Sequence, residues 1–336
     1  MAVAIRNMQD FFVFEKWRII MKTSLIKLAV LTALTSSSLV MAEEAAKAPA
    51  KPDWDLTANV GFVTDYYARG ISQSWHKPAA QGGFDLTHSS GFYAGVWGSS
   101  ISPNTYPSGT TEIDIYAGYN GQVKALEDLG YTLGLIGYIY PGASWKDYRY
   151  TGDSNPQTPN GGKWNTYEAN FGVSYKWLSA KMSYTLSNWY GAEKDTGWDG
   201  STRGTTYMEL NAAYPLPFEG WTVIGHVGRL NVAGELNPTA SFGLSSSGAA
   251  QLPSSSASGE TRPDYTDFKV GISKAFSIAK SEGWNAGLYY TGSNNSDYWG
   301  KRGYGGGSFN GAGDGTTAES KALNDNRWVF SLSRSF

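Results

Sequence analysis

The chain has 336 residues, a formal net charge of −2 and no cysteine, which excludes disulfide frameworks, thiolate metal sites and cysteine nucleophiles. Glycine reaches 41 residues and aromatics 15%, while charged residues make up 17%, against about 25% in an average globular domain. A balance so near neutrality lacks the basic face that nucleic-acid binding requires.

The first predicted element is a leader. Met21 to Ala42, "MKTSLIKLAVLTALTSSSLVMA", places Lys22 and Lys27 before an apolar run from Leu28 to Leu34 and ends in Val40-Met41-Ala42. That is the layout of a secretory signal with a small-residue cleavage site. Its apolar core falls short of the roughly 20 residues a spanning helix needs. Residues 1–20 read as an upstream start artefact or an extended leader, and 43–53 as a flexible Pro- and Ala-rich tail. From residue 54 to 336 the expectation is one barrel.

Period-two alternation dominates that remainder. In "YEANFGVSYKW", Tyr167, Ala169, Phe171, Val173, Tyr175 and Trp177 share one face, and Glu168, Asn170, Gly172, Ser174 and Lys176 the other. "TEIDIYAGY" sorts Ile113, Ile115 and Ala117 against Glu112, Asp114 and Tyr116 in the same way. Strict alternation over eight or more residues argues strands with two chemically different sides. Twelve strands are expected, near 55–66, 81–89, 91–101, 111–120, 130–140, 166–177, 179–189, 205–214, 221–231, 265–276, 283–291 and 326–336. Connections after even-numbered strands are short. Those after odd-numbered strands are longer, above all 141–165, 232–264 and 292–325, which are filled with Gly, Ser, Asn, Asp and Pro. Short turns alternating with long loops around an even number of antiparallel strands describe an all-β, up-and-down transmembrane barrel of about 12 strands in a bacterial outer membrane.

Physical necessity supports closure, because hydrocarbon tolerates no unpaired sheet edge. Tyr131, Tyr167, Tyr175, Trp177, Tyr214, Trp221, Trp284 and Trp328 fall near predicted strand ends, as interfacial girdles do. Trp75, Trp145, Trp164, Trp198 and Trp299 fall in loops, where a girdle does not account for them. The last strand, "RWVFSLSRSF", aligns Trp328, Phe330, Leu332 and Phe336, with Arg334 interrupting that face. A strand of this type ending in Phe336 resembles the signal read by the outer-membrane barrel-assembly machinery.

Segments quoted in order, "VTDYYARGISQS", "PAAQGGFDL", "HSSGFYAGVWGSSI", "TEIDIYAGY", "YIYPGA" and "YEANFGVSYKWLSAKMSY", resemble the TorF family of outer-membrane porins. The resemblance runs from Trp54 to Phe336 and is densest from 60 to 190. It implies an outer-membrane barrel of Gram-negative bacteria but brings no established substrate. Ala68 stands where an aromatic is expected, and the loops at 232–264 and 292–325 are long for the family.

Alternation assigns Asp65, Asp85, Glu112, Asp114, Glu168 and Glu209 to the inner side, with Lys176, Lys181, Lys269 and Arg327 opposed. A charge on the lipid side costs about 2–4 kcal/mol at the midplane, so these residues belong in the lumen or at the rims. Asp65, Asp85, Glu112, Asp114, Glu168, Lys181, Glu209 and Lys269 are the candidate pore-lining residues, and charged walls select solutes by sign. They either form an acidic wall or brace a filled barrel through pairs such as Lys181 with Glu168. Tyr93, Trp97, Tyr116 and Tyr207 lie beside them and offer aromatic faces to a solute.

The function expected is porin-like passage of small solutes, with lipid and lipopolysaccharide as surroundings. The alternatives are a non-conducting adhesive barrel acting through its long loops and an outer-membrane hydrolase. For the last, His76, His88 and His226 are the available bases, and no Gly-x-Ser-x-Gly elbow occurs. "GYGGGSFNGAGDG" lacks the Lys-Ser/Thr ending of a phosphate loop. No complete calcium-ligand spacing appears either, so no cofactor or metal is expected.

Overall fold

A strand whose alternate side chains differ in polarity separates two environments, and a row of such strands must close or leave a bare edge. The computed structural model describes residues 53–126, 128–145, 162–196, 198–235, 262–299 and 321–336. The leader and signal over 1–42, nearly all of the tail, and central parts of the three longest loops lie outside the described residues.

The described strands in chain order are β1 (Trp54–Val63), β2 (Tyr67–Ala68), β3 (Ile71–Ser72), β4 (Ala79–His88), β5 (Phe92–Ser100), β6 (Thr111–Gln122) and β7 (Leu129–Ile139). They continue as β8 (Thr166–Tyr175), β9 (Leu178–Thr185), β10 (Thr206–Pro215), β11 (Trp221–Asn231), β12 (Tyr265–Ile278), β13 (Ser281–Ser293) and β14 (Arg327–Ser335). β1 and β4 to β14 make a closed, twelve-stranded antiparallel barrel in which neighbours in the chain are neighbours in the ring. Closure falls between the ends of the chain: β1 pairs with β14 from Asn59↔Ser335 to Val63↔Ser331. β2 and β3 stand apart as a small hairpin.

All twelve wall strands sit where alternation places them, with ends moved by a few residues. β1 and β9 are shorter than their patterns, because side-chain hydrogen bonds draw the chain off the wall. The hydroxyls of Ser72 and Ser74 donate to Asp65 just past β1, and the Trp189 amide donates to Thr202 Oγ1 past β9. The short connections, 89–91, 123–128, 176–177, 216–220 and 279–280, gather at the end of the barrel that also holds Trp54 and Phe336.

The greasy sides face out. Phe84, Ile115, Leu135, Phe171, Met208 and Val270 are each at least half exposed on the outer surface. Asp114, Glu168, Glu209 and Asp267, on the opposite face of β6, β8, β10 and β12, are buried inside. That inversion of the soluble pattern is what a hydrocarbon environment demands. Three cations of the wall strands point outward: Arg229, near the long loops, donates to Asn231 Oδ1 at 3.0 Å and Thr266 Oγ1 at 3.4 Å, and the other two lie near short turns, covered by rings. Lys274 Nζ lies 4.9 Å from the Trp221 ring, and the Arg334 guanidinium lies 4.2 Å from Phe336 and 5.6 Å from Trp284. Cation–π contact of this kind lets a long side chain sit at an interface, which explains how Arg334 interrupts the apolar face of β14.

A candidate constriction in the lumen

The segment between β1 and β4 folds inward and crosses the barrel. Its tip is the β2–β3 hairpin, with Ala68↔Ile71 pairing around a two-residue turn of Arg69 and Gly70. Both turn residues are left-handed, at φ 48° and φ 74°, the signature of a type I′ turn that suits the right-handed twist of the flanking strands. Gly70 is required twice over: a Cβ there would stand 2.4 Å from Asp267 Cβ and 2.8 Å from the Gly292 carbonyl oxygen.

This turn aims Arg69 at the far wall. Counted around the ring from β1, β8 is sixth and β10 eighth, so both lie opposite the hairpin's root. Arg69 Nη1 and Nη2 donate to Glu168 Oε1 at 2.9 Å and Oε2 at 2.7 Å, the two-pronged geometry of strong guanidinium–carboxylate pairs. The guanidinium also lies 4.3 Å from the Tyr207 ring and 5.9 Å from that of Tyr138. Burial alone disfavours the charge on Arg69, but Glu168 outweighs it and holds the pKa well above the ordinary value.

The root of the hairpin is as firmly tied. Asp65 accepts from Ser72 Oγ at 2.7 Å and Ser74 Oγ at 3.0 Å, and its Oδ2 lies 2.7 Å from His76 Nδ1. His76 Nε2 lies 2.8 Å from the Ala322 carbonyl oxygen, which links this segment to the β13–β14 connection. Asp65, expected on the wall of the first strand, thus lies beyond its end and organises the hairpin. The physical reason is that Ser72, Ser74 and His76 satisfy its carboxylate only if the chain turns inward.

Two clusters flank Arg69. On one side, Glu112 and Asp114 project from β6, and the Tyr140 hydroxyl donates to Glu112 Oε1 at 3.0 Å. On the other, Lys181 Nζ lies 2.7 Å from Glu209 Oε1, and His226 Nε2 lies 2.8 Å from Asp267 Oδ1. The Tyr207 hydroxyl donates to Asp267 at 3.0 Å, and His226 Nδ1 lies 2.6 Å from Asn211 Oδ1. Lys269 faces inward from β12 with its ammonium 5.8 Å from the Tyr289 ring. The partner of Lys181 is therefore Glu209, across the β9–β10 pairing, and that of Glu168 is Arg69. Asp85 stands nearer the short-turn end, where the Tyr116 hydroxyl reaches across β5 to donate to it. Lys176 sits in the β8–β9 turn over Tyr175, and Arg327 lies half-exposed at the opposite rim.

The loop tryptophans turn away from solvent. Trp75, Trp145, Trp164, Trp198 and Trp299 are all buried. Trp145 stacks on Trp164 at 4.1 Å, and Trp189 meets Trp198 and Trp299 edge-on at 6.1 and 6.2 Å. Tyr106 stacks on Tyr140 at 4.3 Å and meets Trp164 edge-on at 5.3 Å, and burial pushes the phenols of Tyr106 and Tyr190 up, leaving both neutral. Sequence reasoning missed Arg69 as the central residue. The available signal was Arg69-Gly70 between two strand-like dipeptides, masked because arginine is an uncommon choice for a left-handed position.

The molecule is thus a closed twelve-stranded barrel with an inserted hairpin and a charged level in its lumen. The chain belongs to the family described as "Bacterial protein of unknown function (Gcw_chp)", whose model matches residues 46–257. Comparison with curated proteins finds no match. Among solved structures, a KdgM porin is 8% identical with a TM-score of 0.40, over 83% of this chain and 99% of that one. A NanC porin is 8% identical with a TM-score of 0.39, over 84% and 99%. A KdgM porin in complex with disordered oligogalacturonate is 8% identical with a TM-score of 0.38, over 84% and 98%. At such values the likenesses add nothing to what strand pairing already establishes.

Proposed function

We propose that this protein is an outer-membrane channel for small solutes, narrowed by the Tyr67–Ser72 hairpin rather than left open as a wide diffusion pore. The observation that carries the reading is the inversion of the wall. An apolar belt surrounds a lumen whose charged side chains gather at the level where Arg69 meets Glu168. A barrel built only as an anchor has no need of acids and bases concentrated there, since filling it with neutral side chains avoids the desolvation of each charge. The secretory layout of residues 21–42 and the resemblance to TorF porins support export to the outer membrane and passage of solutes through it.

The test is conductance. Purified protein in planar bilayers should give small, discrete channels. Replacing residues 66–73 by a short Gly-Ser turn should raise the single-channel conductance several-fold. A folded barrel that stays silent in both forms would remove the channel reading.

A further inference from the structure

Arg69 is a guanidinium delivered to the lumen by a loop, and the wall receives it with a carboxylate and an aromatic ring. Glu168 takes both nitrogens, and the Tyr207 ring lies 4.3 Å away. The same pair of elements recurs close by on β5 and β6. Asp114 is 9% exposed, faces the lumen, and its Oδ1 has no hydrogen-bond partner. Among the described residues no cation stands within ion-pair distance of it. Trp97 is its direct cross-strand partner, also 9% exposed and lumen-facing, with an unpartnered indole N–H. The Trp97 ring meets Tyr66 edge-on at 5.7 Å.

A buried carboxylate oxygen left without a partner carries a penalty that a native structure ordinarily avoids. Here Glu112 and Glu168 share the level with Asp114, and Arg69 is the guanidinium set against all three. The level therefore holds more acidic side chains than Arg69 can pair, beside aromatic faces. That combination recognises an organic cation: the carboxylate supplies charge-assisted hydrogen bonds, and the ring supplies cation–π attraction.

We infer that Asp114 and Trp97, beside the Arg69–Glu168 pair, form a recognition site for a guanidinium or primary-ammonium group. Arg69 is the tethered occupant of the neighbouring seat. An incoming cation first meets Asp114, and by competing for Glu168 it loosens the hairpin that narrows the lumen. This deepens the channel reading by naming a solute class, and it rests on that reading only for passage, not for binding.

Agmatine and L-arginine are the probes, with L-citrulline as the control because its ureido group keeps the shape without the charge. Calorimetry and tryptophan fluorescence on the full-length, detergent-folded barrel should show agmatine and arginine binding about ten-fold or more tighter than citrulline. Asp114→Asn should weaken agmatine by a similar factor, and Asp114→Glu should restore part of it. An unchanged barrel melting transition shows that the variants are folded. Equal binding of agmatine and citrulline, or agmatine binding that survives Asp114→Asn, overturns the inference. Paired bilayer recordings separate the two readings. Agmatine binding without conductance leaves the site standing and removes the channel. Conductance in a protein that binds no agmatine removes the site and leaves the channel.

Discussion

The two halves of the lumen are built on different principles. Toward the long loops, Arg69, Glu112, Glu168, Glu209 and Asp267 are each under 10% exposed, and the chain itself supplies their partners, across the lumen for Arg69 with Glu168 and between adjacent strands for Lys181 with Glu209 and His226 with Asp267. Toward the short turns, Thr57, Asn59, Thr87 and Tyr93 are partly or fully open to solvent. The first half is dry, densely charged and tied across the lumen by the inserted hairpin; the second is wetter and carries fewer charges, with Asp85 braced only between nearby strands. The contrast teaches that charge pairing and narrowing of the lumen are concentrated at one level, because electrostatic interactions strengthen where water is excluded.

The largest expected effect comes from breaking that contrast at its centre. Glu168→Ala leaves Arg69 buried without its carboxylate, and losing one partner of a buried pair costs about 3–5 kcal/mol. Chemical unfolding in detergent should register the loss, and conductance should rise as the hairpin tip is released. If stability is unchanged, the pair is not dry and the comparison between the halves fails.

Much of the wall was legible from residues alone because a strand with two faces repeats every two positions, whatever its partners. That rule told Glu168 from Phe171 and Asp114 from Ile115 without any tertiary information. It could not pair Glu168 with Arg69, which lies 99 positions away in a segment that leaves the wall. Nor could it place Trp145 on Trp164, since loops carry no period that records where they fold. Asp65 shows the boundary between the two regimes: alternation continued β1 through it, but three hydrogen-bonding neighbours a few residues on turn it inward.

The next effect tests the outer side. Phe171→Arg puts a charge on the lipid face near the middle of β8, at a cost of about 2–4 kcal/mol. Folding into lipid vesicles should weaken by that amount, whereas a substitution on the wet inner side such as Asn59→Asp should leave it nearly unchanged. Gly70→Ala is expected to follow. The left-handed backbone alone penalises a Cβ by about 1–2 kcal/mol, and the close approach to Asp267 and Gly292 forces the turn away from β12 and β13. The readout is conductance, which should rise less than in Glu168→Ala because Arg69 keeps its partner.

The smallest effect belongs to the wet half. Tyr116 reaches across Gly95 to donate its hydroxyl to Asp85, and a Cβ on Gly95 would come within 2.4 Å of the Tyr116 ring. The ring therefore braces three strands by packing, and Tyr116→Phe keeps that packing while deleting the hydrogen bond. Asp85 is only half-buried, so water can replace the lost donor, and the expected cost is about 1 kcal/mol or less. Removing a single hydroxyl from the dry half offers the matching measurement: Tyr140→Phe takes the donor from the buried Glu112 carboxylate, and the unsatisfied group should cost about 1–3 kcal/mol. Equal losses in the two variants would mean that water reaches both levels alike. A clearly larger loss at Tyr140 would locate the change from wet to dry between Asp85 and Glu112.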